Sequence, residues 1–143
     1  MRISTKGRYS LAALLYMATL PKGVFVTTKE IAAAAGTTDG YIEQLFIQLR
    51  KMGLIEGVRG RNGGYALAKP SSQISVGYVL RECEGSLKPV VCAGSGSCPK
   101  EKDCLSRYTW SALYRVINGC LNNITVNDLA ADYNAYENPE YTI

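Results

Sequence analysis

Three cysteines stand at even spacing in "VVCAGSGSCPKEKDC": Cys92, Cys98 and Cys104, a C-x5-C-x5-C run with Gly94 and Gly96 in its first gap. Thiolates bind soft metals, and glycines let a short loop wrap an inorganic core. Structural zinc more often uses closely spaced cysteine pairs, so this spacing fits zinc poorly. The plain alternative is three unligated thiols in a reduced compartment. The other two cysteines, Cys83 and Cys120, fall on helical stretches, where a cysteine usually serves as a small buried hydrophobe.

A second group lies upstream. "VRGRNGGYAL" at 58–67 holds Arg59 and Arg61 on a glycine-rich turn between two apolar, strand-like pieces. Gly60, Asn62-Gly63 and Gly64 are expected to supply the positive backbone angles of a tight hairpin. Guanidinium groups held out on such a turn suit a phosphate or a nucleic-acid groove. A solvated surface loop is the competing reading.

Composition narrows the classes. The chain has 143 residues, five cysteines and no histidine. A chain of this size buries roughly 68–70% of its unfolded surface, enough for a core without disulfide staples. The absence of histidine removes the usual acid–base residue and the commonest metal-ligating side chain, and no base–nucleophile pair is visible. The expectation is therefore a protein that is not an enzyme and has no small-molecule substrate. Residues 1–70 carry ten Lys/Arg and four Asp/Glu, whereas 71–143 carry six and eight, so the first half alone suits a polyanion partner. The opening "MRISTKGRYSLAALLYMATLPKG" imitates a signal peptide, yet Leu11, Leu14, Leu15 and Ala18 recur at helical spacing and predict an amphipathic helix from about Thr5 or Lys6. No stretch approaches the ~20 apolar residues needed to cross a membrane. The chain is read as soluble and cytoplasmic.

The elements that would position these groups are legible in the pattern. "TTKEIAAAAGTTDGYIEQLFIQLRKMGLI" predicts helices over 28–35 and 39–52, broken at Gly36. Counted from Thr28, the fifth residue is the small Ala32, the ninth Gly36, the fifteenth Ile42 and the eighteenth Leu45. This is helix-turn-helix spacing: a small residue where the helices cross, glycine in the turn, and apolar residues pinning the second helix. A hairpin directly after it makes a winged helix, with Arg59 and Arg61 at the wing tip. On the second helix Asp39, Tyr41, Glu43, Gln44 and Gln48 are expected at the outward face, with Ile42, Leu45 and Leu49 inward. Gln can pair with adenine, Glu can accept from cytosine, and Tyr commonly meets phosphate. With the basic first half and the wing, double-stranded DNA becomes the better reading than a merely solvated face.

Farther on, Ile74, Val76, Val79 and Leu80 mark a short helix. Leu105, Thr109, Leu113, Val116, Ile117, Cys120, Leu121 and Ile124 follow the spacing of a long amphipathic helix. That stripe exceeds what one winged helix can cover, so a two-fold homodimer is expected to bury it. A short capped helix and a polar, tyrosine-rich tail close the chain.

Taken together, "STKGRY" at 4–9, "YIEQLFIQLRKMGLI" at 41–55, "VRGRNGGYAL", the cysteine loop and "CLNNITVNDL" at 120–129 resemble the IscR-type family of bacterial winged-helix transcription regulators, with its NsrR and CymR branches, over about the whole chain. The resemblance implies a cytoplasmic homodimer on a near-palindromic operator. It implies DNA-recognition roles for Tyr41, Glu43, Gln44 and Arg59, and a basic helix start at Lys6 and Arg8. It also implies that Cys92, Cys98 and Cys104 are iron–sulphur ligands, most readily of a 2Fe-2S cluster with 4Fe-4S as the alternative. The family's fourth ligand is a histidine three residues after the last cysteine; here that position is Arg107.

The expected DNA-contacting set is Lys6, Arg8, Thr28, Tyr41, Glu43, Gln44, Gln48, Arg50, Arg59 and Arg61. The fold class is mainly α with a small β-hairpin. A winged helix-turn-helix domain is expected over 1–80, the cluster loop over 81–104, and the dimerisation helix with the tail over 105–143. The function read from these features is a repressor or dual regulator modulated by the cluster. Its alternative is a cluster-free regulator of cysteine or sulphur metabolism, of the CymR type, controlled by a partner protein. A winged-helix interaction module with structural zinc is the minor reading.

Overall fold

The computed structural model describes residues 1–94, 96 and 98–137. Among these the chain forms helices α1 (Thr5–Thr19), α2 (Thr28–Ala35) and α3 (Asp39–Lys51), strands β1 (Ile55–Val58) and β2 (Gly64–Leu67), and helices α4 (Val76–Glu84), α5 (Arg107–Asn123) and α6 (Val126–Glu137). A 3-10 turn at Ser71–Gln73 precedes α4. The fold is mainly α with one small sheet, as the sequence pattern implies. The tyrosine-rich end at 138–143 lies outside the described residues.

Each of the first helices starts where a hydroxyl can satisfy a backbone N–H that has no partner within the helix. Ser4 accepts from Gly7, Thr27 from Glu30, Thr38 from Tyr41 and Ser75 from Tyr78. At α2 the exchange is reciprocal: the Glu30 carboxylate accepts from the Thr27 N–H at 2.7 Å. That bond, and next the Thr27 hydroxyl, hold the Glu30 carboxyl below its ordinary range. Gly36 ends α2 at φ 67°, a conformation open to glycine at little cost. Ala32, Ile42 and Leu45 are all buried, so the helix-turn-helix packs as its spacing predicts.

α1 runs through the middle of the domain and packs against α2, α3, α4, α6 and β2. Its Ala13 and Leu14 are wholly buried beside Ile31, Phe46, Leu49, Leu54 and Val79. The same core takes Val126 from α6, so the end of the chain returns to its beginning. A smaller cluster of Val76, Leu80 and Leu87 gathers Leu121 and Ile124 from the end of α5.

The hairpin pairs Ile55 with Leu67 and Val58 with Gly64. A third piece, absent from the sequence reading, completes the wing: Val26 bridges Tyr65 through bonds of 2.9 and 2.7 Å. The turn itself differs from expectation. Five residues, 59–63, separate the strands; of these only Gly60 has positive φ, as does Gly64 at the start of β2. Asn62 and Gly63 do not, because Gly63 is needed for space rather than angle; a Cβ there would collide with the Val58 carbonyl.

Two further expectations need correcting. Leu105 is fully exposed and precedes α5, which begins at Arg107. Ser106 occupies the cap position and receives the Trp110 N–H at 3.2 Å, which leaves Leu105 outside the helical stripe. Cys120 is exposed rather than buried, because no residue of α5 is buried within this chain. Cys83 is half-buried rather than fully buried; it packs against the core with its thiol donating to the Ser10 hydroxyl at 3.6 Å.

Gly64 has φ 149°, and a Cβ there would stand 2.6 Å from the Val26 carbonyl oxygen. Gly64→Ala should therefore lower unfolding stability by on the order of 1–3 kcal/mol, measured by denaturant melts. An alanine variant as stable as the parent would mean that the Val26 bridge does not hold the wing.

Candidate functional site

α3 divides cleanly into two faces. Ile42, Leu45, Phe46 and Leu49 are buried, while Gly40, Glu43, Gln44, Ile47, Gln48 and Lys51 are exposed at three- and four-residue steps. Glu43, Gln44 and Gln48 therefore lie outward as expected. Tyr41 is half-buried, its ring edge-on to Tyr9 at 5.6 Å, so it is partly a packing residue. Asp39 is also only half-exposed, and its Oδ1 is buried without a hydrogen-bond partner.

The remaining predicted residues lie on four other places of the same domain. Arg50 is exposed in the last turn of α3, and Arg59 and Arg61 are exposed in the loop joining β1 to β2. Arg8 is exposed and Lys6 half-buried in the first turn of α1, and Thr28 is half-buried as the first residue of α2. Sequence reasoning passed over Ile47 and Lys51. Ile47 is 57% exposed in the middle of the polar face. Its signal was its position, four residues after Glu43 and three after Gln44.

The cysteine loop forms a second site. Cys92, Cys98 and Cys104 border one cavity of about 370 Å³, together with Glu101, Arg107 and Trp110. Gly94 and Gly96 turn the loop at φ 67° and 60°. Tight turns follow, with Glu101 N–H donating to Cys98 O at 3.0 Å and Asp103 N–H to Lys100 O at 3.2 Å. Gly94 seats the loop on α5, since a Cβ there would stand 2.7 Å from the Tyr114 ring.

Cys104 is held toward its thiolate form. The Cys104 thiol lies 3.6 Å from the Ser106 hydroxyl, and its pKa is lowered, first by that contact and then by the Ser106 and Arg107 backbone and the Arg107 charge. Arg107 is itself fixed. It donates to the Glu101 carbonyl at 3.2 Å and to the Tyr108 hydroxyl at 2.6 Å, and its guanidinium lies 4.5 Å from the Tyr108 ring centre. The Tyr108 bond chiefly raises its pKa. As placed, no three carboxylate or thiol groups among the described residues converge as around one ion. They border a roomier space, and three sulphurs with a fixed cation on the wall suit an iron–sulphur core in donor type and in charge. Cys83 and Cys120 do not line this cavity.

The Rrf2 family model, described as an iron-dependent transcriptional regulator, matches residues 3–132. The chain belongs to the Rrf2 family. It is 40% identical over 129 residues to the HTH-type transcriptional regulator IscR of Escherichia coli, covering 90% of this chain and 80% of that one. Among solved structures, T. potens IscR is similar at a TM-score of 0.74 and 34% identity, covering 93% of this chain and 88% of that one. CymR, the global cysteine regulator of B. subtilis, is similar at 0.73 and 32%, covering 92% and 97%. As an Rrf2 protein the chain is a DNA-binding transcriptional regulator rather than an enzyme, and its fold is the one shared with these winged-helix regulators. Among the described residues no helix is long and apolar enough to cross a membrane.

If Gly94 seats the cysteine loop on α5, Gly94→Val should free it. Limited proteolysis followed by mass spectrometry should then show cleavage within 91–104 accelerated by about tenfold or more over the parent, a fall in the opening free energy of roughly 1.4 kcal/mol. Equal cleavage rates would mean the loop is held elsewhere.

Proposed function

We propose that this Rrf2 protein is a cytoplasmic homodimeric regulator, a repressor or dual regulator, whose hold on a near-palindromic operator depends on an iron–sulphur cluster at Cys92, Cys98 and Cys104. The observation that carries the cluster reading is the meeting of all three thiols on one cavity beside a fixed guanidinium. When bound, a 2Fe-2S cluster, or a 4Fe-4S cluster as the alternative, supplies a group that changes charge with redox state and is lost to oxidants or nitric oxide. The chain's own residues do the rest. Residues 1–80 carry the DNA-reading surface, 81–104 the cluster loop, and 105–143 the dimer helix and tail.

On the DNA, Glu43, Gln44 and Gln48 face base edges, with Ile47 in their midst placed to meet a thymine methyl. Arg59 and Arg61 extend from the wing, where the negative potential of a narrow A·T-rich minor groove favours arginine. Lys6, Arg8, Thr28, Tyr41 and Arg50 contact phosphates and fix the register. The competing reading is a cluster-free regulator of cysteine metabolism answering to a partner protein, favoured by the likeness to CymR over 97% of that chain. Colour separates the two: a chain purified without air is brown with a cluster and colourless without one, and iron and sulphide analysis decides it.

Footprinting on the operator should protect two half-sites on one DNA face, roughly one helical turn or a small multiple apart. Affinity should fall with salt at a log–log slope near about −0.9 per phosphate neutralised. Arg59→Ala should weaken binding by about 1–3 kcal/mol; unchanged affinity would remove Arg59 from the reading surface. α5 exposes Leu113 and Val116 and half-exposes Ile117. Leu113→Asp or Ile117→Asp would bury an unpaired charge in the proposed interface, costing several kcal/mol. Sedimentation should find these variants monomeric, and intact dimers would place the interface elsewhere.

A further inference from the structure

Clusters of the 2Fe-2S type take four protein ligands, and the loop offers three thiols. Within this chain, the described groups near the loop are the candidates for the fourth donor. Arg107 is there but cannot serve, because guanidinium stays protonated and has no lone pair to give. Cys83 faces Ser10 against the core. Cys120 lies thirteen residues beyond the start of α5, about 20 Å along its axis at ~1.5 Å per residue. Asp103 is exposed and does not border the cavity. Glu84 is engaged by the N–H and hydroxyl of Ser4, at 3.1 and 2.7 Å.

Glu101 differs from all of these. It is half-buried while its neighbours Lys100 and Lys102 are exposed, and among the described carboxylates it alone borders the cavity with the three thiols. It stands midway between Cys98 and Cys104. Its N–H donates to the Cys98 carbonyl, and its own carbonyl receives the Arg107 guanidinium. Its backbone is therefore tied to one thiol residue and to the local cation.

We propose that Glu101 supplies the fourth ligand as an oxygen donor, with Arg107 as countercharge to four anionic donors rather than as a ligand. This rests on the cluster reading above. An oxygen donor is harder than thiolate and suits iron less well, so the mixed site holds its cluster less firmly than an all-thiolate one.

The test uses the full chain reconstituted without air from ferrous iron and sulphide, read by iron and sulphide content, visible absorption and cluster half-life in air. Glu101→Gln and Glu101→Ala should change the visible bands and shorten the half-life by about tenfold or more, the lower end being what loss of a supporting residue alone costs. Glu101→Cys should restore or exceed the parent half-life with bands moved toward those of an all-thiolate cluster. Asp103→Asn should match the parent, and Cys98→Ser should be colourless. If the glutamine and alanine variants keep the parent's bands and half-life while Cys98→Ser bleaches, Glu101 is not a ligand and the cluster reading survives. Bleaching by Cys83→Ser as complete as by Cys98→Ser would likewise overturn the assignment in favour of a fourth thiolate. A parent chain that takes up neither iron nor sulphide would overturn both.

Discussion

Tyr65 ties the wing to the recognition helix through its backbone and its ring at once. Its N–H and carbonyl both bond to Val26, at 2.7 and 2.9 Å, which fixes β2 to the segment entering α2. Its ring stands edge-on to Phe46 of α3, with centroids 4.6 Å apart. Phe46 is almost wholly buried, so its ring gives Tyr65 an unyielding partner. The arginines of the wing and the polar face of α3 consequently belong to one rigid frame. A DNA surface made from two elements works only if their spacing is fixed before DNA arrives, since ordering them on binding would cost affinity.

A chain of local contacts runs from the cysteine loop to that frame. Gly94 lets the loop lie on Tyr114 of α5, and Arg81 of α4 donates to Asn118 at 3.0 Å and to Asn122 of the same helix. α4 ends in Glu84, whose carboxylate binds the residue that caps α1, and Gly7 leaves room for it. One turn into α1 lie Lys6 and Arg8. The wall of the thiol cavity and the basic start of α1 are therefore joined through packed helices and hydrogen bonds rather than through a flexible linker. Such a path is a physical connection, and coupling along it requires two arrangements of at least one element.

Much of this was legible in the chain because local rules decided it. Thr27 and Glu30 announce a helix start, Gly36 its stop, and the Ala32, Ile42 and Leu45 spacing the crossing of two helices. The cysteine spacing and the neighbouring glycines likewise marked one loop, and all three thiols border one cavity. What escaped depends on partners distant in sequence. Val26 is a single residue between helices, and nothing near it says that it pairs with Tyr65 thirty-nine positions later. Gly63 looked like a residue of unusual angle because asparagine–glycine usually is; its actual constraint is the Val58 carbonyl across the hairpin. Tyr41 was read as outward because tyrosine is polar at its tip, yet the ring packs on Tyr9 from α1. Glu101 and Asp103 stand in the same loop and are equal candidates in the sequence; the turn after Cys98 is what brings Glu101, and not Asp103, to the cavity wall.

α5 is where these separate arguments meet. Its first turn supplies Arg107, Tyr108, Trp110 and Ser111 to the cavity, while Leu113 and Val116 farther along face outward uncovered. Within one chain this helix buries no residue completely, and its fixed anchors are the asparagines held by Arg81 and the Leu121 contact with the smaller cluster. The proposed dimer would cover its outer face and the proposed cluster would fill the cavity at its start. Apolar cover on the outer row and charge compensation at Arg107 would then act on one rod, and each would shift the other's equilibrium to the extent that this helix has two arrangements.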